Sequence, residues 1–161
     1  MAIIIFYTQN LSKMIINFKK LYINSELPRK GSEEAACYDV IAHSIEFDYI
    51  NDLVKVSLGF ATELPRGYKA CIVPRSSLSK FPFIIPNSPG QIDSDYRGEW
   101  VIKFRYLNPT HKPLDEVFPY EEGDRVAQMW VEKVTEFEIE EIPILSETER
   151  GEGGFGSTGK K

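Results

Sequence analysis

Apolar and polar residues alternate with a period of two through much of the chain. Val54, Val56, Leu58 and Phe60 alternate with Lys55, Ser57 and Gly59, and Ile102, Phe104 and Tyr106 alternate with Lys103 and Arg105. Successive side chains of a strand point to opposite faces, so each run predicts a strand with one buried side. Arg125 to Val134 reads the same way, with Ala127, Met129 and Val131 on one side and Gln128 and Trp130 on the other. Turn signals separate the runs at Leu64-Pro65-Arg66-Gly67, Asn87-Ser88-Pro89-Gly90, Asn108-Pro109 and Glu122-Gly123-Asp124. Helical stripes are nearly absent, and only Ser76 to Phe81 suggests one short helix, with Ser76 an acceptable cap. The class this predicts is all-β, a barrel or sandwich with at most one short helix.

Length and composition narrow the picture. A chain of 161 residues with 42% apolar content is one domain able to build a sizeable core. A formal charge of -5 argues against a general nucleic-acid binder, because no basic face is long enough to neutralise many phosphates. Cys37 and Cys71 each lie in an apolar-rich run, which predicts buried free thiols, and His43 and His111 stand too far from them to suggest zinc. The apolar run Ile3 to Tyr7 is too short to span a bilayer and has no basic flank or cleavage signal, so an intracellular, cytoplasmic protein without membrane binding is expected. Met14 offers a second start, which makes residues 1–14 a candidate extension ahead of a domain over 15–149.

Chemistry concentrates at the end of the chain. Arg150 to Gly159 reads RGEGGFGSTG, and five glycines among ten residues cannot build a core. Such a tail either stays loose or wraps a ligand. Gly-rich backbone turns N–H groups toward an anion, Arg150 adds a charged fork, Ser157 and Thr158 add hydroxyls, and Phe155 offers a flat apolar face; together they suit a phosphorylated aromatic ligand. Gly154 to Lys160 also fits the core of a phosphate-binding loop, but no strand precedes it and no Ser or Thr and helix follow.

Four further polar clusters stand out: Ala35 to Val40 (AACYDV), Pro74 to Ser79 (PRSSLS), Asn87 to Glu99 (NSPGQIDSDYRGE) and Gly123 to Gln128 (GDRVAQ). With the tail, these five blocks in this order closely resemble the five motifs of the homotrimeric deoxyuridine triphosphatases (dUTPases), over residues 35 to 159. The resemblance implies a jelly-roll-like β-barrel whose three copies share three active sites. It also implies a lid formed by residues 150–161 that closes over a pocket built by the other two subunits. The implied reaction is hydrolysis of dUTP to dUMP and pyrophosphate with Mg²⁺ on the triphosphate, which keeps uracil out of DNA and supplies dUMP for thymidylate synthesis.

Residue roles carried over by the resemblance agree with the chemistry the reaction needs. Asp93 matches the carboxylate that activates the attacking water, with Asp95 and Glu99 as neighbouring carboxylates. Gly90, Gln91 and Ile92 match the backbone that reads uracil, within a hairpin expected from Asn87 to Tyr96; Asn87 helps to hold the nucleoside or starts the turn. Tyr96 matches the ring under the deoxyribose, where a 2′-hydroxyl would collide. Arg75, Ser76, Ser77 and Gln128 match phosphate contacts, while Arg125 reads alternatively as a structural ion-pair partner. From the tail, Arg150 is expected at the terminal phosphate, Phe155 on uracil, and Gly156, Ser157 and Thr158 along the phosphate chain. No residue is expected to ligate Mg²⁺ directly; Asp39 is assigned to the metal's water shell or to a supporting network.

Departures are few. Cys37 stands where the first motif usually has glycine, and Trp100 and Pro109 to Tyr120 carry no signature, the latter reading as a variable loop and hairpin. A homologous deoxycytidine triphosphate deaminase and a catalytically inert nucleotide-binding regulator are the competing readings; Asp93, Tyr96 and the complete tail favour phosphate hydrolysis.

Overall fold

The computed structural model describes residues 13–107 and 112–154. Eleven strands follow one another through these residues: β1 (Asn17–Lys20), β2 (Arg29–Lys30), β3 (Tyr38–Ile41), β4 (Ser44–Asp48), β5 (Leu53–Ser57), β6 (Phe60–Glu63), β7 (Tyr68–Pro74), β8 (Phe83–Ile84), β9 (Gly90–Ile92), β10 (Val101–Tyr106) and β11 (Arg125–Lys133). They form a five-stranded sheet in the order β2-β3-β11-β7-β9, a four-stranded sheet β4-β5-β10-β8 and a two-stranded sheet β1-β6. The pairings are antiparallel. The all-β expectation holds, since the helical content is one 3-10 turn at Ser76–Lys80 and one α-helical turn, α1 (Leu114–Val117).

The inner faces close on an aromatic core. Trp100, Phe60 and Phe104 are fully buried, and Phe118 packs edge-on against both Phe83 and Phe104 at 5.3 Å between ring centroids. Each such ring contributes about 2–3 kcal/mol by leaving water. The alternation predicted for β10 is realised, with Ile102, Phe104 and Tyr106 buried and Lys103 and Arg105 exposed.

Two local patterns depart from simple alternation, each for a visible reason. The run Val54 to Phe60 reads as one strand, yet the chain leaves the four-stranded sheet at Ser57 and enters the two-stranded one at Phe60. Gly59 makes the switch at φ +70°, and a Cβ there would meet the Ser25 hydroxyl and lie 2.8 Å from His43 Cγ, so only glycine fits. In β11 the register shifts between Arg125 and Ala127, and this bulge turns both Val126 and Ala127 into the core.

Other local expectations are corrected. The cap of the 3-10 turn is Arg75, not Ser76, and no side chain caps it; an extended Arg75 backbone already directs the chain into the turn. Cys71 is buried but Cys37 is only half-buried, because the chain at that point runs along the surface just ahead of β3. The described part of Pro109 to Tyr120 holds α1 rather than a hairpin. Beyond β11, residues 134–149 form no regular structure and leave Phe137, Ile139, Ile144 and Leu145 at least 78% exposed. No helix among the described residues is long and apolar enough to cross a membrane.

Candidate active site

The five-stranded sheet carries nearly all the polar chemistry on its outer face, in two clusters at opposite ends of β7. Antiparallel pairing brings Asp39 of β3 opposite Gln128 of β11, and Gln128 opposite Val73 of β7, so Arg75 emerges beside them at the end of β7. Asp39 is only 3% exposed, and both its carboxylate oxygens are engaged. Oδ1 accepts from Gln128 Nε2 at 3.1 Å and pairs with Arg75 Nε at 3.3 Å; Oδ2 accepts from Arg125 Nη1 at 3.1 Å. Arg75 also donates from Nη1 to the Arg125 carbonyl at 2.9 Å.

A near-buried carboxylate shared by two guanidinium groups is a positioning device. It leaves one net positive charge and fixes the planes of both donors, which is the arrangement an oxyanion needs. Arg125, open as a structural partner on sequence grounds, is such a partner here. Ser76 and Ser77 follow in the 3-10 turn; the Ser77 hydroxyl lies 3.5 Å from that of Tyr120, and the Ser76 carbonyl accepts from Ser79 Oγ at 2.7 Å.

At the other end of β7 stands the second cluster. Gly90, Gln91 and Ile92 are β9, the sheet's edge, paired with Ile72, Cys71 and Ala70. The expected hairpin from Asn87 to Tyr96 is not formed. The strand in that stretch, β9, pairs with β7 instead, and after it the chain turns at once, with Tyr96 N–H donating to the Asp93 carbonyl at 3.2 Å. That turn also breaks the alternation that would have set Asp95 beside Asp93. Asn87 folds over Gly90, its Nδ2 3.5 Å from where a Cβ would be.

Tyr96 is 44% exposed and donates its hydroxyl to the Glu99 carbonyl at 3.0 Å, laying its ring against Gly98 so closely that any Cβ there would collide. Asp93 and Gln91 line both an open groove of about 1090 Å³, shared with Lys69, Ser94, Asp95 and Arg97, and a smaller pocket of about 190 Å³ floored by Ile92, Tyr96, Glu99 and Trp100. Among the described residues no group pairs with the Asp93 carboxylate.

Sequence reasoning passes over a third set of residues. Lys69 Nζ donates to Gln91 Oε1 at 3.1 Å and pairs with Glu132 Oε1 at 3.2 Å, while Trp130 Nε1 donates to Glu132 Oε2 at 2.9 Å. The Trp130 and Lys69 hydrogen bonds hold the Glu132 carboxyl below the usual carboxylate range; burial, and then the Glu132 charge, push the neighbouring Cys71 thiol up. Lys69 belongs to no motif, and its position two before Cys71 on an alternating strand is the only signal that placed it on this face.

Arg150 sits in an exposed turn where its Nε donates to the Gly153 carbonyl at 2.7 Å. Phe155, Gly156, Ser157 and Thr158 lie outside the described residues. The two clusters are separated by the extended run from Lys69 in β7 to Arg75 just past its end, about 20 Å at roughly 3.3 Å per residue.

Comparison with known proteins shows the family. The family model for dUTPase matches residues 24–159. A Hydrogenobaculum protein named deoxyuridine 5′-triphosphate nucleotidohydrolase is 50% identical over 149 residues, covering 89% of this chain and 96% of that one. One of the same name from Nautilia profundicola is 41% identical over 150 residues, covering 91% and 100%. Among solved structures, the dUTPase of Staphylococcus bacteriophage 80alpha with dUPNHPP superposes with a TM-score of 0.77 at 24% identity, over 91% of this chain and 99% of that one, a likeness of fold. With its barrel, its motif clusters and these relatives in agreement, this chain belongs to the dUTPase family.

Proposed function

We propose that this chain hydrolyses dUTP to dUMP and pyrophosphate, with Asp93 as the base. The observation that carries the reading is the contrast between two motif carboxylates. Asp39 is consumed by Arg75, Arg125 and Gln128, whereas Asp93, unpaired among the described residues, lines both the groove and the small pocket. Asp95 lines the groove but not the small pocket. Asp93 takes a proton from water, the water oxygen bonds to the α-phosphorus, and the bond to the bridging oxygen breaks to release pyrophosphate. Gly90, Gln91 and Ile92 read the uracil edge, Asn87 steadies the nucleoside, and Tyr96 underlies the deoxyribose, consistent with its exposed ring. Proteins of this name and the analogue-bound phage enzyme support the substrate class.

Arg75, Gln128 and the hydroxyls of Ser76 and Ser77 form the phosphate end of the reading. Since about 20 Å of β7 separates them from Asp93, they cannot both reach one α-phosphate from the same chain. The site is therefore shared between copies. The exposed apolar residues of 134–149 are what such an assembly would cover, and a trimer closed by the tail through Arg150, Phe155, Gly156, Ser157 and Thr158 satisfies both demands.

Magnesium fits as a companion of the substrate. Among the described residues no three acidic, histidine or cysteine side chains converge, and the oxygens of Asp39 are spent on cations, so Asp39 supports Arg75 and Gln128 rather than a metal's water shell. Mg²⁺ prefers phosphate oxygens and water, and when bound it would neutralise charge developing on the triphosphate. The phage phi11 dUTPase, alike in fold with a TM-score of 0.67 and 18% identity, was solved with a structural Mg(II) ion.

Refolding a mixture of Asp93→Asn and Arg150→Ala proteins tests the shared site. Sites with all wild-type parts are expected, with dUTP hydrolysis above either parent. A mixture as inactive as its parents, in proven mixed assemblies, would refute sharing.

A further inference from the structure

We infer that Lys69 is a positioning residue for Asp93, acting through a side-chain relay that ties strand β9 to the middle of its sheet. The inference rests on Asp93 as the base. β9 is a weak support: it is an edge strand of three residues, paired on one side only, with Ile92 opposite Ala70 as its last pair. Asp93 follows immediately after that last pair, lining the same groove as Lys69, and its carboxylate has no partner among the described residues to hold it. Whatever steadies β9 therefore steadies the base.

The relay crosses three strands. Glu132 on β11 stands directly across from Lys69 on β7, and Gln91 on β9 lies one side-chain step away on the same face. Trp130 Nε1 fixes one oxygen of Glu132, the other pairs with Lys69 Nζ, and the ammonium's remaining donor capacity reaches Gln91 Oε1. A lysine suits this place because one ammonium carries three donors and can serve acceptors on both neighbouring strands. Lys69 is 27% exposed and Glu132 44%, so water competes only in part. The tether's value lies in orientation, where a small displacement of a reacting group costs up to about 10²-fold in rate.

Steady-state dUTP hydrolysis by Lys69→Met, Lys69→Arg and Glu132→Gln, alongside Asp93→Asn, tests the relay. Lys69→Met keeps the aliphatic stem and removes the donors; its kcat is expected to fall about tenfold with KM within about twofold, the signature of lost transition-state geometry. Lys69→Arg should restore most of kcat. Glu132→Gln should lower kcat in the same direction, and the Lys69→Met/Glu132→Gln pair should be no worse than Lys69→Met alone, since both cut one chain of contacts. If Lys69 instead acts by its charge on the substrate, Lys69→Met raises KM with kcat intact and Glu132→Gln lowers KM; that pattern overturns the inference. Wild-type kcat in folded Lys69→Met overturns it too, and if that variant fails to fold, Glu132→Gln with wild-type kcat does so. Near-wild-type turnover in Asp93→Asn removes the base assignment and this inference with it, whereas a dead Asp93→Asn beside a fully active Lys69→Met removes the inference alone.

Discussion

Replacing Asp39 with alanine separates two ways in which the Arg75 cluster can serve a triphosphate. The carboxylate is nearly buried and carries two ion pairs and accepts one hydrogen bond from the Gln128 amide, at 3.1 to 3.3 Å. Breaking a fully buried pair costs about 3–5 kcal/mol, and an exposed pair at most about 1. The two arginine side chains are 24% and 46% exposed and can rehydrate once released, so a loss of about 2 kcal/mol is expected. For a chain of this size that lowers Tm by about 4–8 °C, read by thermal unfolding at fixed protein concentration. The kinetic outcome is more telling. Removing Asp39 raises the cluster from one net positive charge to two, so if field strength alone governs binding, KM for dUTP falls. If the fixed planes of Arg75 and Gln128 govern it, KM rises, by about tenfold for a loss of about 1.4 kcal/mol. The structure favours orientation, because each Asp39 oxygen is spent on holding a donor. Initial rates of pyrophosphate release at two salt concentrations distinguish the cases; an unchanged or lower KM would refute the orientation argument, and an unchanged Tm the stability argument. Asp39→Asn, which keeps an acceptor for Gln128 but loses the charge, should fall between.

Deleting residues 150–161 should leave the cooperative unfolding transition in place while hydrolysis drops at least about tenfold, since none of the described residues there, 150–154, belongs to the core; full activity without the tail would dismiss the lid. Gly59→Ala should cost about 2–4 kcal/mol, from the strained φ and the collision with Ser25 and His43, read as a lower urea midpoint. Acid should weaken the fold through Glu132 and Asp48, whose folded carboxyls are held low, Glu132 first by Trp130 and Asp48 first by Asn51. A carboxyl with a depressed folded pKa adds stability that is complete above its unfolded pKa, roughly 4, and vanishes as pH falls through the folded value. Glu132→Gln should therefore flatten the acid limb of a urea-midpoint profile measured from neutral pH downward, and an unaltered limb would remove Glu132 from the account.

Much was legible in the sequence because strand periodicity is local. The alternation of Ile102, Phe104 and Tyr106 became a half-buried strand as read, and the polar blocks already singled out Asp39, Arg75, Asp93 and Gln128 as the candidate residues. What local pattern cannot carry is pairing. Val54 to Phe60 reads as one strand because alternation continues through Leu58, but Gly59 and the packing of Ser25 and His43 split it between two sheets. The turn residues from Asn87 to Tyr96 suggest a hairpin, whereas β9, the strand within that stretch, finds its partner in β7, pairing Gly90 with Ile72 and Ile92 with Ala70.

 

Residue type and spacing therefore determined most of the strands and turns and which polar groups are candidates for the chemistry, since each depends on side chains a few positions apart. The tertiary structure decided which groups meet. Asp39, Arg75 and Gln128 are separated by up to 89 positions and converge only because β3, β11 and β7 pair in register, which spends Asp39 on cations and leaves Asp93 open. The same pairing sets Asp93 and Arg75 at opposite ends of one strand, a separation no reading of spacing could supply, because distance across a sheet follows from long-range hydrogen bonding and core burial rather than from the order of residues.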